Sequence, residues 1–306
     1  MKLFLRLALY GVTFFFFFLL FLLTLFPYDS IKGRITRELE NGLGGAYQVT
    51  INKIRPFPLL GVVLKNVQIK EARSQNDFIK LDKASLSLRL LPLLWGSVQT
   101  RFDAKIGKGE LEGSFASGRN RYHVSLSLDG INLGELKSLA TRYGLNLSSQ
   151  ISGQVDLELF PAEPIRNQGS VHLVLKELRL LESELKVGEG EMAMSFNLPP
   201  LQMAVNTVPS VIDMRMDKGN MEVKSFEFKG GDLELNLSGK LYIAQSLSNS
   251  RLNLKGSFGV NPAASSRLPF LVLIEKEKGS DGQFPLTVTG RVEKPSIQIG
   301  SLRVPL

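Results

Sequence analysis

The sequence predicts a mainly β protein: an N-terminal transmembrane helix, then an elongated, curved antiparallel β-sheet with one or two short helices. Two observations predict it. An uncharged apolar run opens the chain, and a two-residue hydrophobic alternation recurs through most of the remainder.

The opening run is "GVTFFFFFLLFLLTLFP", residues 11–27. Leu7 to Phe26 is 20 residues without a charge, and at about 1.5 Å of rise per residue they cover roughly the 30 Å of a bilayer's hydrocarbon. A cleavable signal has a shorter apolar core, about 7 to 15 residues, followed by small residues at the cleavage site. Here the exit reads Phe26-Pro27-Tyr28-Asp29, and the first small pair, Gly44 with Ala46, lies beyond a charged segment. Residues 7–27 are therefore expected to stay as an anchor behind a short N-terminus, 1–6. Lys2 and Arg6 precede the span while Lys32, Arg34 and Arg37 follow it, so the flanking charge is nearly balanced. A short basic leader before a long apolar run fits an anchor with its N-terminus in the cytoplasm and the bulk of the chain outside.

Residues 28–45 read as an amphipathic helix or linker. Ile31, Ile35 and Leu39 are spaced by four among Arg34, Arg37, Glu38 and Glu40, and the segment ends in glycine-rich punctuation. Such a helix is either a plain linker or one that lies on the membrane or plugs the end of the next domain.

From Tyr47 the period changes to two. "YHVSLSLDG" sets Tyr122, Val124, Leu126 and Leu128 against His123, Ser125, Ser127 and Asp129, and "DLELNLSG" sets Leu233, Leu235 and Leu237 against Asp232, Glu234, Asn236 and Ser238. "KASLSLRLL", "GQVDLELF", "GSVHLVLKEL", "SRLNLKGSF" and "PLTVTGRV" alternate likewise. Alternation bounded by Gly, Asn, Asp and Pro argues for many antiparallel strands, each with one apolar and one wet face, over 46–306. "ISGQVDL", "LSGKLYI" and "VTGRVEK" share a small-residue–glycine entry and hint at a repeated strand unit. One helix is expected at 134–144, where Leu133, Leu136, Leu139, Ala140 and Tyr143 follow helical spacing. The stretch from Asn261 to Gly282 is ambiguous: too apolar for an ordinary loop, yet interrupted by Pro269.

Composition narrows the chemistry. Without cysteine there are no disulfides, thiolate metal sites or thiol nucleophiles. The net charge of +8 is scattered among carboxylates without a basic run, which argues against nucleic acid and suits anionic headgroups. His123 and His172, the only histidines, fall in the polar phase of their strands, outside any metal-binding spacing. "GKGELEG" lacks the order of a phosphate-binding loop and reads as a turn. Glu189 and Glu191 share a strand face, but a polar edge or turn accounts for them. No catalytic, cofactor or metal residue is expected.

A long sheet with one apolar face must fold on itself, pack on a second sheet or cover something. The candidate apolar groove comprises Val124, Leu126, Leu128, Leu157, Leu159, Leu173, Leu175, Leu235 and Leu237. Trp95, in "LLPLLWGS", is read by default as core.

The order of apolar span, amphipathic helix, "GLGGAYQVTINKIRPFPLLGVVLKNVQI", "ASLSLRLLPLLWGSV" and "GKGELEGSF" resembles the N-terminal module of the AsmA-like envelope proteins. "LDGINLGELKSLATRYGLNLSSQISGQVDLEL", "KSFEFKGGDLELNLSGKLYIAQSLSNSRLNLKGSF" and the closing "DGQFPLTVTGRVEKPSIQIG" are most similar to the N component of bacterial type II secretion systems, the GspN form. The resemblance implies a single-pass inner-membrane protein with a periplasmic domain shaped as a trough or half-barrel, associated with other type II secretion components. It also implies, as the alternative, a groove that binds or transfers phospholipid acyl chains between membranes. It supplies no active-site residue. The chain is short for an AsmA-like bridge, because a dozen strands at about 4.8 Å apiece reach only about 60 Å.

Overall fold

A computed structural model describes residues 28–42, 47–57, 61–71, 77–89, 96–118, 120–135, 146–187, 194–244, 249–268, 271–292 and 294–304, together with Tyr10, Thr13, Phe14, Phe17 and Pro92. Most of the expected anchor 7–27 and of the expected helix 134–144 lies outside these residues, as do Glu189, Glu191 and Trp95. No helix among the described residues is long and apolar enough to cross a membrane.

The fold is mainly β. Helix α1 (Tyr28–Gly42) leads into strands β1 (Tyr47–Phe57), β2 (Gly61–Glu71), β3 (Asp77–Arg89), β4 (Val98–Ile106), β5 (Gly109–Ser117), β6 (Tyr122–Asn132), β7 (Leu147–Leu159) and β8 (Gln168–Leu180). After β9 (Ser183–Val187), β10 (Met194–Leu198) and β11 (Leu201–Gln202) come β12 (Ser210–Asp217), β13 (Asn220–Phe228), β14 (Leu233–Tyr242) and β15 (Arg251–Val260). Two helical turns, α2 (Pro262–Ser265) and α3 (Leu271–Ile274), precede β16 (Phe284–Arg291), β17 (Pro295–Ile299) and β18 (Leu302–Val304). Beside the sheet the helices of the described residues are few and, after α1, short. The ambiguous stretch after Asn261 is helical on both sides of Pro269, with Asn261 accepting a hydrogen bond from the Ala263 N–H at the first turn.

Sixteen strands form one antiparallel sheet in the order β1 to β8, then β12 to β18, with β11 added beside β8; β9 and β10 pair separately. Fifteen strands in line, about 4.8 Å apart, extend about 67 Å. Among the described residues β1 pairs only with β2 and β18 only with β17, so the sheet stays open.

The register turns local alternation into a global property. Starting at Ile54 in β1, one row of cross-strand partners runs through Leu64, Ala84, Ala104, Leu111, Leu128, Gly153 and Leu173. It continues through Ile212, Phe226, Leu237, Gly256, Leu286 and Ile299 to Leu302 in β18. Every strand on the path contributes an apolar residue or glycine. The adjacent row on the other face runs from Ser87 through Arg101, Ser114, Ser125, Asp156, Ser170, Arg215, Glu222, Lys240, Asn253 and Thr289 to Ser296, without one apolar member.

The three small-residue–glycine echoes are backbone features within the sheet. Gly153, Gly239 and Gly290 sit in β7, β14 and β16 with φ of 155°, 145° and 94°, where L side chains are strained. A Cβ on Gly153 would stand 2.2 Å from the His172 carbonyl oxygen, and one on Gly239 would stand 2.2 Å from that of Asn253. Glycine at these points lets neighbouring strands approach closely and bend.

Two covers lie on the apolar face. Ile35 of α1 packs on a cluster of Val49, Ile51, Leu64 and Val67. Ala264 of α2, Leu268 between the two turns, and Leu271 and Ile274 of α3 are 0–6 % exposed and pack on Leu180, Leu198, Leu201, Phe258 and Phe284. Burying one such aliphatic side chain contributes about 1.5–3 kcal/mol, so the α2–α3 cover is held several-fold more strongly than α1 is through Ile35. Arg267 adds a 2.8 Å ion pair with Asp232. A third cluster, around Leu175, Leu178, Ala204 and Phe228, fills the face between β8 and β13.

Replacing Gly153 with Ala is expected to cost about 1–3 kcal/mol through the clash with the His172 carbonyl. Gly259→Ala, whose Cβ would meet only Gln283 Cγ at 3.8 Å, is expected to stay within about 0.5 kcal/mol. Urea unfolding of the two variants checks the difference, and equal stabilities would remove the role assigned to Gly153.

Candidate functional site

All nine candidate groove residues fall on the apolar face. Val124 pairs with Leu157, Leu126 with Val155, Leu128 with Gly153 and Leu159 with Tyr122 across β6 and β7. Leu173 and Leu175 pair with Gly153 and Ile151, while Leu235 and Leu237 pair with Phe258 and Gly256. They divide by what covers them. Leu175 and Leu237 are 5 % exposed, and Leu235 packs against the α2–α3 cluster. Val124, Leu126, Leu128, Leu157, Leu159 and Leu173 are half-buried and belong to none of the three buried clusters.

The open stretch is therefore the apolar face of β3 to β7. It includes residues the sequence reading passed over: Phe102 and Phe115 are half-buried there, and Leu86 remains 39 % exposed. Phe102 pairs with Leu86 and Gly113, and Phe115 pairs with Thr100 and Val124. The Phe115 and Tyr122 rings stack with centroids 5.7 Å apart. Their strands, "VQTRFDAKI" and "GELEGSFAS", dilute the apolar phase with Thr100, Ala104 and Gly113, which hid the alternation. Side chains this large and only half covered form a surface that takes apolar groups in place of water.

A buried polar atom interrupts this face: Ser210, paired with Leu175 and 1 % exposed, has a hydroxyl with no hydrogen-bond partner among the described residues. A buried hydroxyl left unpaired costs about 1–3 kcal/mol.

The opposite face carries charge. A depression of about 880 Å³ across β4 to β8, β12 and β13 is lined by Arg121, His123, Asp156, Glu158, Asp213 and Arg215 among others. Arg121 Nη1 lies 3.1 Å from Glu158 Oε1, and His123 Nε2 lies 3.6 Å from Asp156 Oδ2. Gln168 donates its side-chain N–H to the Glu158 carboxylate at 2.6 Å. That hydrogen bond, with Arg121 adding its charge, holds the Glu158 carboxyl below its ordinary value. His172 sits on this face too, opposite Gln154 and Asp213. Exposed pairs of this kind are solvated and weak.

Fold and face together define a class: an open, single-sheet β protein with one continuous apolar surface. Comparison with protein-family models, curated proteins and solved structures returns no match.

Two outcomes follow. Ser210→Ala is expected to raise stability by about 1 kcal/mol, because it removes an unpaired hydroxyl, and a loss in urea unfolding would mean the hydroxyl has a partner. The depressed Glu158 pKa gives stability that is full above the ordinary carboxylate range and lost as pH falls through the folded value. Carbon-13 NMR titration should place Glu158 below a free glutamate, and Gln168→Ala should move it up further than Arg121→Ala does.

Proposed function

We propose that this chain is an inner-membrane-anchored, periplasmic protein of the AsmA-like group, in the GspN form that accompanies type II secretion. It acts without catalysis, by sheltering the acyl chains of phospholipids on the apolar face of its sheet. The carrying observation is the row of apolar residues and glycines that crosses fifteen strands without a polar member, on a face where Phe102, Phe115, Val124, Leu126, Leu128 and Leu157 are only half-buried. A closed core would bury these side chains, and a surface meant for water would not align them. Acyl chains need no directional partners, only a continuous strip that displaces water. Residues 7–27 supply the anchor, and the strip begins at β1, the strand nearest to it in sequence.

A second reading places the function in contacts with other type II secretion components. It is favoured by the charged depression around Arg121, Asp213 and Arg215 and by the β18 edge, which among the described residues pairs only with β17. A partner strand or a polar protein surface would then be the ligand.

Photocrosslinking in living cells from probes at Leu126, Leu157 and Leu235 separates the two, with Ser125 and Asn236 as opposite-face controls. Phospholipid adducts are expected from Leu126 and Leu157 and not from Ser125. Silent leucines, with polar positions that capture another envelope protein, would replace the lipid reading by the scaffold reading.

A further inference from the structure

Helix α1 is built as a cover over the first rungs of the apolar face. Its Ile35 faces Val49, Ile51, Leu64 and Val67, while Leu39 is 40 % exposed. Two side chains tie it to the outer edge of β1. Glu40 accepts from the Val49 N–H at 2.9 Å, and Lys32 donates to the Asn52 carbonyl at 3.3 Å. Both contacts can be replaced by water or headgroup oxygens at little cost. The other helical cover, α2–α3, holds four buried side chains and the Arg267–Asp232 pair. Among the described side chains, α1 is the more lightly held of the two covers.

Its place in the chain tells what would displace it. Only Pro27 separates α1 from the 20-residue uncharged run, and Leu43-Gly44-Gly45-Ala46 joins it to β1. Arg34 and Arg37 are exposed on α1, where they suit phosphate headgroups. Beneath it begins the apolar row, at Ile54 and Leu64.

We propose that α1 is a displaceable gate at the membrane-proximal end of the apolar face, and that acyl chains drawn from the bilayer holding residues 7–27 enter by taking the place of Ile35. The proposal rests on the acyl-chain reading above. An incoming chain replaces one aliphatic contact with another, so the face stays covered throughout. The swung-out helix keeps Arg34 and Arg37 at the headgroups.

The absence of cysteine makes a direct test available. Lys32→Cys and Asn52→Cys are introduced together into the full chain, which carries a photoprobe at Leu126 and is reconstituted in phosphatidylethanolamine–phosphatidylglycerol vesicles. A short, cleavable bismaleimide staples α1 to β1, and the single-cysteine chains treated alike serve as controls. Stapling is expected to lower phospholipid adducts at Leu126 several-fold, and cleaving the linker to restore them. Glu40→Ala, unstapled, is expected to raise them. Equal adducts with α1 stapled and free would overturn the gate and leave the acyl-chain reading standing. No phospholipid adduct at Leu126 in the free chain would overturn both.

Discussion

The structure depends on the free energy of one surface. A long sheet whose residues alternate along its strands, with register shifts in several of them, has no second sheet of its length to bury its apolar side, yet one apolar row runs from Ile54 to Leu302. Contiguous apolar patches beyond a few hundred Å² are unusual on a monomer in water. The chain meets the constraint piecewise, with α1 over β1 and β2, residues of the β8–β12 connection over the centre, and α2–α3 over β14 to β17. What is left over, β3 to β7, is where the molecule has apolar surface to offer.

A sheet this long also has to manage its edges and its twist. Unpaired edge groups invite other chains, and the long strand β1 is occupied by Glu40 and Lys32 of α1. At the other end β18 is only Leu302–Val304, which limits what it can template. Within the sheet, twist accumulates from strand to strand. Glycines at 153 and 239 absorb it where any Cβ would collide with the neighbouring carbonyl.

Much of this was legible in the sequence, because a period of two survives in "YHVSLSLDG" and "DLELNLSG" whatever the strands pair with. The face of each groove residue followed from that alone. Its burial did not: Leu237 and Leu126 look alike in sequence, but one is 5 % exposed and the other only half-buried. Non-local packing decides such differences. Phe102 and Phe115 were missed because small neighbours blurred their phase, and α2–α3 stayed ambiguous because Pro269 splits one amphipathic stretch into two short turns. The spacing of Ile31, Ile35 and Leu39 suits a linker, a membrane-lying helix or a plug alike, and the contact of Ile35 with Val49 and Ile51 is not visible from it.

The charged face has a different part in the same economy of design. Arg101–Glu112, Lys105–Glu110 and Arg121–Glu158 join neighbouring strands at 3.4, 2.9 and 3.1 Å, with most of these side chains half exposed. Such pairs contribute about 0–1 kcal/mol each, too little to hold a sheet together. Their contribution is to register. A slip of one residue in any strand would turn Arg101, Glu112, Asp156 or Arg215 into the apolar row and carry leucines into water. Each charge therefore raises the free energy of the wrong pairing far more than it lowers that of the right one. Fifteen strands aligned this way keep an apolar strip continuous over the length of the sheet, which no single strong interaction could do.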